Sequence, residues 1–95
     1  MPETILIIED QSDMRENIAT ILRMEGYAVL EATNGRDGIE AARGEKPDLI
    51  LCDIMMPEVD GYGVLQALRQ DRTIAGTPFV FLTARGEHSD RRAGM

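Results

Sequence analysis

The sequence predicts an α/β fold, a doubly wound parallel sheet in a single small domain. Three observations carry that expectation. Apolar strand-like runs alternate with helix-period segments in the order β-α-β-α-β-α-β, with the opening of a further helix, and the connections are short. Two of the runs, Thr4-Ile5-Leu6-Ile7-Ile8 and Leu49-Ile50-Leu51-Cys52, are nearly continuous in apolar residues, as expected of strands buried on both faces. Both run out into acid, the first at Glu9-Asp10 and the second at Asp53.

The first strand spans Thr4 to Ile8. After Gln11-Ser12, Asp13 with Glu16 three residues on marks a helix start, and Met14, Ile18, Ile21 and Leu22 form its apolar stripe. Gly26 stops that helix. Tyr27 to Ala32 reads as the second strand. Asn34 is placed to cap a second helix running to Arg43, weakened by Gly38 and closed by Gly44 and Pro47. Asp48 to Asp53 is the third strand, and Met55 to Val59 is loop. Asp60 can cap a third helix whose apolar face is Tyr62, Val64, Leu65 and Leu68. Asp71 to Pro78 is rich in turn formers. Phe79 to Leu82 is the fourth strand, ending on Thr83, and Glu87 to Arg92 looks like the start of a fourth helix. No repeat, low-complexity tract or linker interrupts the pattern.

Ninety-five residues suit one domain rather than two. Aromatic residues make up 4%, with no Trp, so the core is aliphatic with six Met as gap fillers. The formal net charge of −7 argues against direct contact with nucleic acid or an anionic membrane, both of which need a cationic surface. Met1-Pro2-Glu3-Thr4 lacks the basic and apolar segments of a signal peptide, and no run approaches the ~20 residues of a membrane span. The single Cys cannot form an intrachain disulfide. A cytoplasmic domain is expected.

In a doubly wound sheet, ligands sit outside the carboxyl ends of the strands, where strand order reverses. Glu9, Asp10, Asp53 and Thr83 all fall at carboxyl ends. Three carboxylates in one place need a cation or raised pKa values. Oxygen-only donors suit a hard ion such as Mg2+, held by one or two carboxylates and a phosphate oxygen. A carboxylate can also act as a nucleophile and form an aspartyl-phosphate. An isolated Asp after a strand often only caps the next helix, and Asp10 or Asp13 could do that. Asp53 is different, because the next helix begins near Asp60. Cys52 is expected to pack in the core facing away from Asp53, His88 to be solvated, and Met55-Met56 to pack in the loop.

These residues resemble the receiver domain of bacterial two-component response regulators. The resemblance rests on Glu9-Asp10 closing the first strand, Asp53 followed by Ile54-Met55-Met56-Pro57, Gly61 four residues later, and Leu82-Thr83-Ala84. It covers essentially the whole chain in order. It implies a flavodoxin-like fold and a signalling domain rather than a turnover enzyme. Asp53 would be the phospho-acceptor. Glu9, Asp10 and Asp53, with the backbone carbonyl of Met55, would bind Mg2+. Thr83 would be the switch hydroxyl, with the Ala84 backbone beside it. Met55 and Arg85 would tune the lifetime of the phosphoryl group. The donor would be a sensor histidine kinase, a phosphotransfer protein, or a small molecule such as acetyl phosphate.

Receivers continue through the fourth helix to a fifth strand, a Lys at its end and a fifth helix, whereas this sequence ends at Met95. The sole Lys, Lys46, precedes the third strand and lies near the opposite rim, roughly 20 Å from Asp53 at strand rise. The fourth strand is then an apolar open edge. The expectations are a truncated piece, a part supplied by a partner chain, or self-association through that strand or by exchange of elements. The alternative is a receiver-like interaction module that is not phosphorylated. A flavodoxin-like cofactor site fits poorly, because Glu9-Asp10 would repel a phosphate. A phosphatase of the haloacid dehalogenase type wants Asp-x-Asp where Glu9-Asp10-Gln11 stands.

Overall fold

The computed structural model describes residues 2–82. The elements are β1 (Thr4–Ile8), α1 (Ser12–Met24), β2 (Ala28–Ala32), α2 (Gly35–Glu45), β3 (Leu49–Asp53), α3 (Gly61–Arg69) and β4 (Phe79–Leu82). The four strands pair as one parallel sheet in the order β2-β1-β3-β4. The chain therefore leaves β1 in one direction to make β2, then crosses back over β1 to make β3. Right-handed crossovers place α1 on one face and α2 and α3 on the other, which is the flavodoxin-like doubly wound topology. No fifth strand or fifth helix lies among the described residues. The expected fourth helix, with His88, Arg91 and Arg92, lies outside them, as do Thr83, Ala84 and Arg85.

The pleat assigns each residue its face. Leu6, Ile8, Ile50 and Cys52 join Ala42, Val64 and Leu68 in the cluster under α2 and α3. Ile5 and Ile7 are equally buried but point the other way, toward the face α1 covers. Gly38 has a packing reason inside α2: a Cβ there would sit 2.5 Å from the Ile8 side chain, so the helix lies directly on β1.

The structure redraws several boundaries. Asn34 accepts from the Asp37 amide at 2.8 Å and Asp60 from the Gly63 amide at 2.9 Å, so both act as the expected caps. Asp13 does not: α1 starts a residue earlier, behind Gln11, which makes no side-chain cap. Met14, Ile18 and Leu22 of α1 are half-buried as expected, but the inward stripe extends to Arg15 and Ala19 on one side and loses Ile21 on the other. Arg15, Ala19 and Leu22, spaced i, i+4 and i+7, face the sheet, whereas Ile21 is 59% exposed. Tyr27 lies outside β2, closing the turn after α1 by donating its amide N–H to the Leu22 carbonyl. Gly44 lies inside α2, which ends at Glu45. Its stop is Lys46, in the left-handed region at φ 46°, with its ammonium on the Arg43 carbonyl. Asp48 precedes β3 and binds the Thr4 amide at 2.8 Å.

Candidate active site

Strand order reverses between β1 and β3, so the carboxyl ends of these two strands flank the crevice of the fold. Glu9 and Asp10 follow β1, and Asp53 is the last residue of β3. One carboxylate oxygen from each of the three lies within 4.8 Å of the other two. Glu9 and Asp53 are buried and Asp10 is exposed, so the cluster has a dry floor and one open side.

Each acid is positioned by its surroundings. The Glu9 amide still donates to the Ala32 carbonyl at 3.1 Å, as a continuation of the β1–β2 ladder. The Glu9 carboxylate accepts from the Gln11 amide at 3.0 Å, and its carbonyl accepts from Arg15 Nη1 at 3.0 Å. Arg15 also donates through Nε to Glu31 on β2 at 3.2 Å, and Glu31 takes a second guanidinium from Arg23 at 3.2 Å. Asp53 pairs in register with Leu82 of β4. Behind it, the Gly61 amide donates to the Ile54 carbonyl at 2.9 Å. A Cβ on Gly61 would stand 2.5 Å from the Asp53 carbonyl oxygen, so the loop closes against Asp53 only because this residue has no side chain. Glu58, at φ 67°, supplies the left-handed turn within that loop.

Cys52 packs in the core on the face opposite Asp53, as alternation requires. Burial, then the nearby Asp53, Glu9 and Asp60 carboxylates, pushes its thiol up to about 12. It is therefore an inert protonated thiol at neutral pH. Met55 follows in the loop with its side chain 66% exposed. Lys46 caps α2 just before β3, at the opposite rim. Arg15 and Glu31 were not among the residues expected at the site. The signal available was an Arg in register with Ala19 and Leu22 on the buried face of α1, and a single Glu inside the apolar run of β2.

A compact set of three carboxylates supplies oxygen donors only, which fits a hard divalent ion and does not fit a soft metal. The response regulator receiver domain model matches residues 5–95. A probable transcriptional regulator, ycf27 of Guillardia theta, is 40% identical over 93 residues, which is 98% of this chain and 35% of that protein. The N-terminal domain of a response regulator receiver protein from Methanoculleus marisnigri superposes with a TM-score of 0.84 at 31% identity, covering 97% of this chain and 76% of that one. The receiver domain of sensor histidine kinase PA1611 from Pseudomonas aeruginosa superposes with a TM-score of 0.85 at 29% identity, covering 97% and 75%, and has a magnesium ion coordinated in its active-site cleft. The chain belongs to the response regulator receiver family. Its acidic cluster matches the phospho-accepting aspartate site of that family, whose members work as phosphorelay modules rather than as turnover enzymes. The chain spans less than half the length of the ycf27 regulator it matches.

Proposed function

We propose that Asp53 accepts a phosphoryl group from a histidine kinase or phosphotransfer protein in the cytoplasm. Residues 1–95 are read as a receiver domain. The observation that carries the reading is the gathering of Glu9, Asp10 and Asp53 within 4.8 Å at the switch point of the sheet. In the transfer, an Asp53 carboxylate oxygen bonds to phosphorus while the bond from phosphorus to the donor imidazole breaks, its electron pair staying on nitrogen. The buried setting of Asp53 keeps competing water from most of its surroundings. Glu9, Asp10 and Asp53, with the Met55 carbonyl, would hold Mg2+, and their donor chemistry fits it. Mg2+ bound there supplies positive charge against the repulsion between the carboxylates and an incoming phosphate. Thr83, which follows β4, is the hydroxyl assigned to the phosphate oxygens.

The other partner in this reading is a second copy of the chain. Among the described residues β4 has one strand neighbour, β3, and Val80 on it is 49% exposed. Association through this strand, or exchange of elements, would show as a concentration-dependent mass in light scattering.

The deciding experiment is intact mass after incubation with acetyl phosphate and Mg2+. Wild type is expected to gain one phosphoryl group, and Asp53→Asn, or wild type without metal, to gain none. No gain in a folded chain that binds Mg2+ would instead favour a receiver-like interaction module.

A further inference from the structure

Glu9 and Asp10 are consecutive, and consecutive residues of a strand point to opposite faces. Yet a carboxylate oxygen of each lies within 4.8 Å of the other and of Asp53. The backbone must therefore leave strand geometry at this point. It does so: Ile8 is the last residue in register with both β2 and β3, the Glu9 amide makes the closing ladder bond to Ala32, and the chain bends at Asp10. Past that ladder bond the Glu9 carbonyl accepts from a side-chain donor. Arg15 provides it. Its side chain is only 12% exposed, and its fork spans the Glu9 carbonyl at 3.0 Å and the Glu31 carboxylate at 3.2 Å.

We propose that Arg15 is a positioning residue for the acidic rim. By holding the Glu9 carbonyl it fixes the plane of the Glu9–Asp10 peptide, and with it the direction in which the Asp10 side chain leaves the chain. The peptide unit is rigid, so anchoring its oxygen anchors the Asp10 amide and Cα as well. Glu9 has a second constraint, since its own carboxylate is tied to the Gln11 amide. Asp10 is exposed and relies on the backbone to bring it in. Glu31 holds the guanidinium from the β2 side, and Arg23 balances Glu31. The inference rests on the reading of Glu9, Asp10 and Asp53 as a Mg2+ site.

Positioning and charge act with opposite signs here, which makes the idea testable. A guanidinium near a cation site repels the cation, so its removal alone would tighten Mg2+ binding. Loss of positioning would weaken it. Calorimetric titration with Mg2+ is compared for wild type, Arg15→Met, Arg15→Lys and Arg23→Ala, each checked for folding by circular dichroism. Arg15→Met keeps the aliphatic stem but no donor, and about tenfold weaker binding is expected, in the range seen when partners behind metal ligands are removed. Arg15→Lys keeps the charge and one point donor, and its affinity is expected between those of Arg15→Met and wild type. Arg23→Ala removes a charge from the same Glu31 without touching Glu9, and is expected to bind as well as wild type or better. Equal or tighter binding by folded Arg15→Met overturns the proposal. Should Arg15→Met not fold, binding by Arg15→Lys within about twofold of wild type overturns it, because one ammonium cannot reproduce the fork. Failure of wild type to bind Mg2+ at all would instead overturn the reading of the rim itself.

Discussion

Alternation along β3 sends Cys52 into the cluster beneath α2 and α3 and leaves Asp53 on the buried floor of the crevice. The two side chains then have opposite chemistry. The Cys52 thiol is pushed up from 9.0 to about 12, first by burial and then by neighbouring carboxylates. In the unfolded chain it would ionise near 9, so between about pH 9 and pH 12 the unfolded state binds fewer protons than the folded one. Its contribution to stability is therefore complete below pH 9 and is lost as pH rises, by up to about 1.4 kcal/mol per pH unit. The expected outcome is that the melting temperature of wild type falls more steeply between pH 8.5 and 10.5 than that of Cys52→Ala. Parallel curves would show that the thiol ionises as readily in the fold as outside it. At neutral pH, alkylation of native Cys52 by iodoacetamide should be slow and should speed up in urea.

At the scale of elements, helix placement is set by contacts that propensity does not report. Gly38 lowers the intrinsic preference of α2 by roughly 0.5–1 kcal/mol relative to Ala. A Cβ there would meet the fully buried Ile8 side chain at 2.5 Å, and overpacking of this kind costs about 1–3 kcal/mol. The clash outweighs the propensity gain, because Ile8 sits between β2 and β3 and has no free space to turn into. Gly38→Ala is expected to lower stability in urea denaturation; an increase would mean that α2 lifts from the sheet at little cost. Gly35 performs the same service toward the loop before α3, since a Cβ there would stand 2.7 Å from the Val59 carbonyl. The amino end of α2 and the loop that follows Asp53 are thus held in register through two residues without side chains, Gly35 and Gly61.

For the whole molecule, topology gathers three of the 17 acidic side chains at one point. Two like charges 4 Å apart repel by about 4 kcal/mol at an effective dielectric near 20, and three carboxylates share this crevice. The metal-free fold carries that repulsion as lost stability. Asp53→Asn is therefore expected to melt at a higher temperature than wild type without divalent ions. Mg2+ should reverse the order. At a hundredfold excess over its dissociation constant it adds about 2.7 kcal/mol to wild type, a rise of some 10–20 °C for a domain of this size. Asp53→Asn should gain much less. Equal gains for the two proteins, or the same gain from KCl at matched ionic strength, would show general screening instead of a site. No helix among the described residues is long and apolar enough to cross a membrane.

Much of this was legible in the residues themselves. The order of elements followed from near-continuous apolar runs alternating with helix-period segments, and Glu9-Asp10 and Asp53 stood out because they end apolar strands. The stripe of α1 was legible only in part, for a specific reason. Counting only large apolar side chains picked Met14, Ile18, Ile21 and Leu22; Met14, Ile18 and Leu22 are half-buried, but the helix turns Ile21 outward and Arg15 and Ala19 inward. An arginine enters no hydrophobic count, yet its stem buries well when its head has acceptors. Lys46 was likewise invisible as a helix stop, because Gly44 and Pro47 carry the stronger local signals and the left-handed turn falls on the residue between them.

Sequence by itself determined which segments are strands and helices and which carboxylates end the strands. Those properties depend on neighbours within one or two turns of the chain. Only the tertiary structure decided that three acids come within 4.8 Å of one another, that Arg15 joins Glu9 to Glu31, and that Gly61 closes on the Asp53 backbone. Arg15 and Glu31 are 16 residues apart, and Thr4 and Asp48 are 44 apart. Such distances are fixed by strand order and crossover hand, which arise from packing the whole chain around one sheet and leave no periodic mark in the sequence.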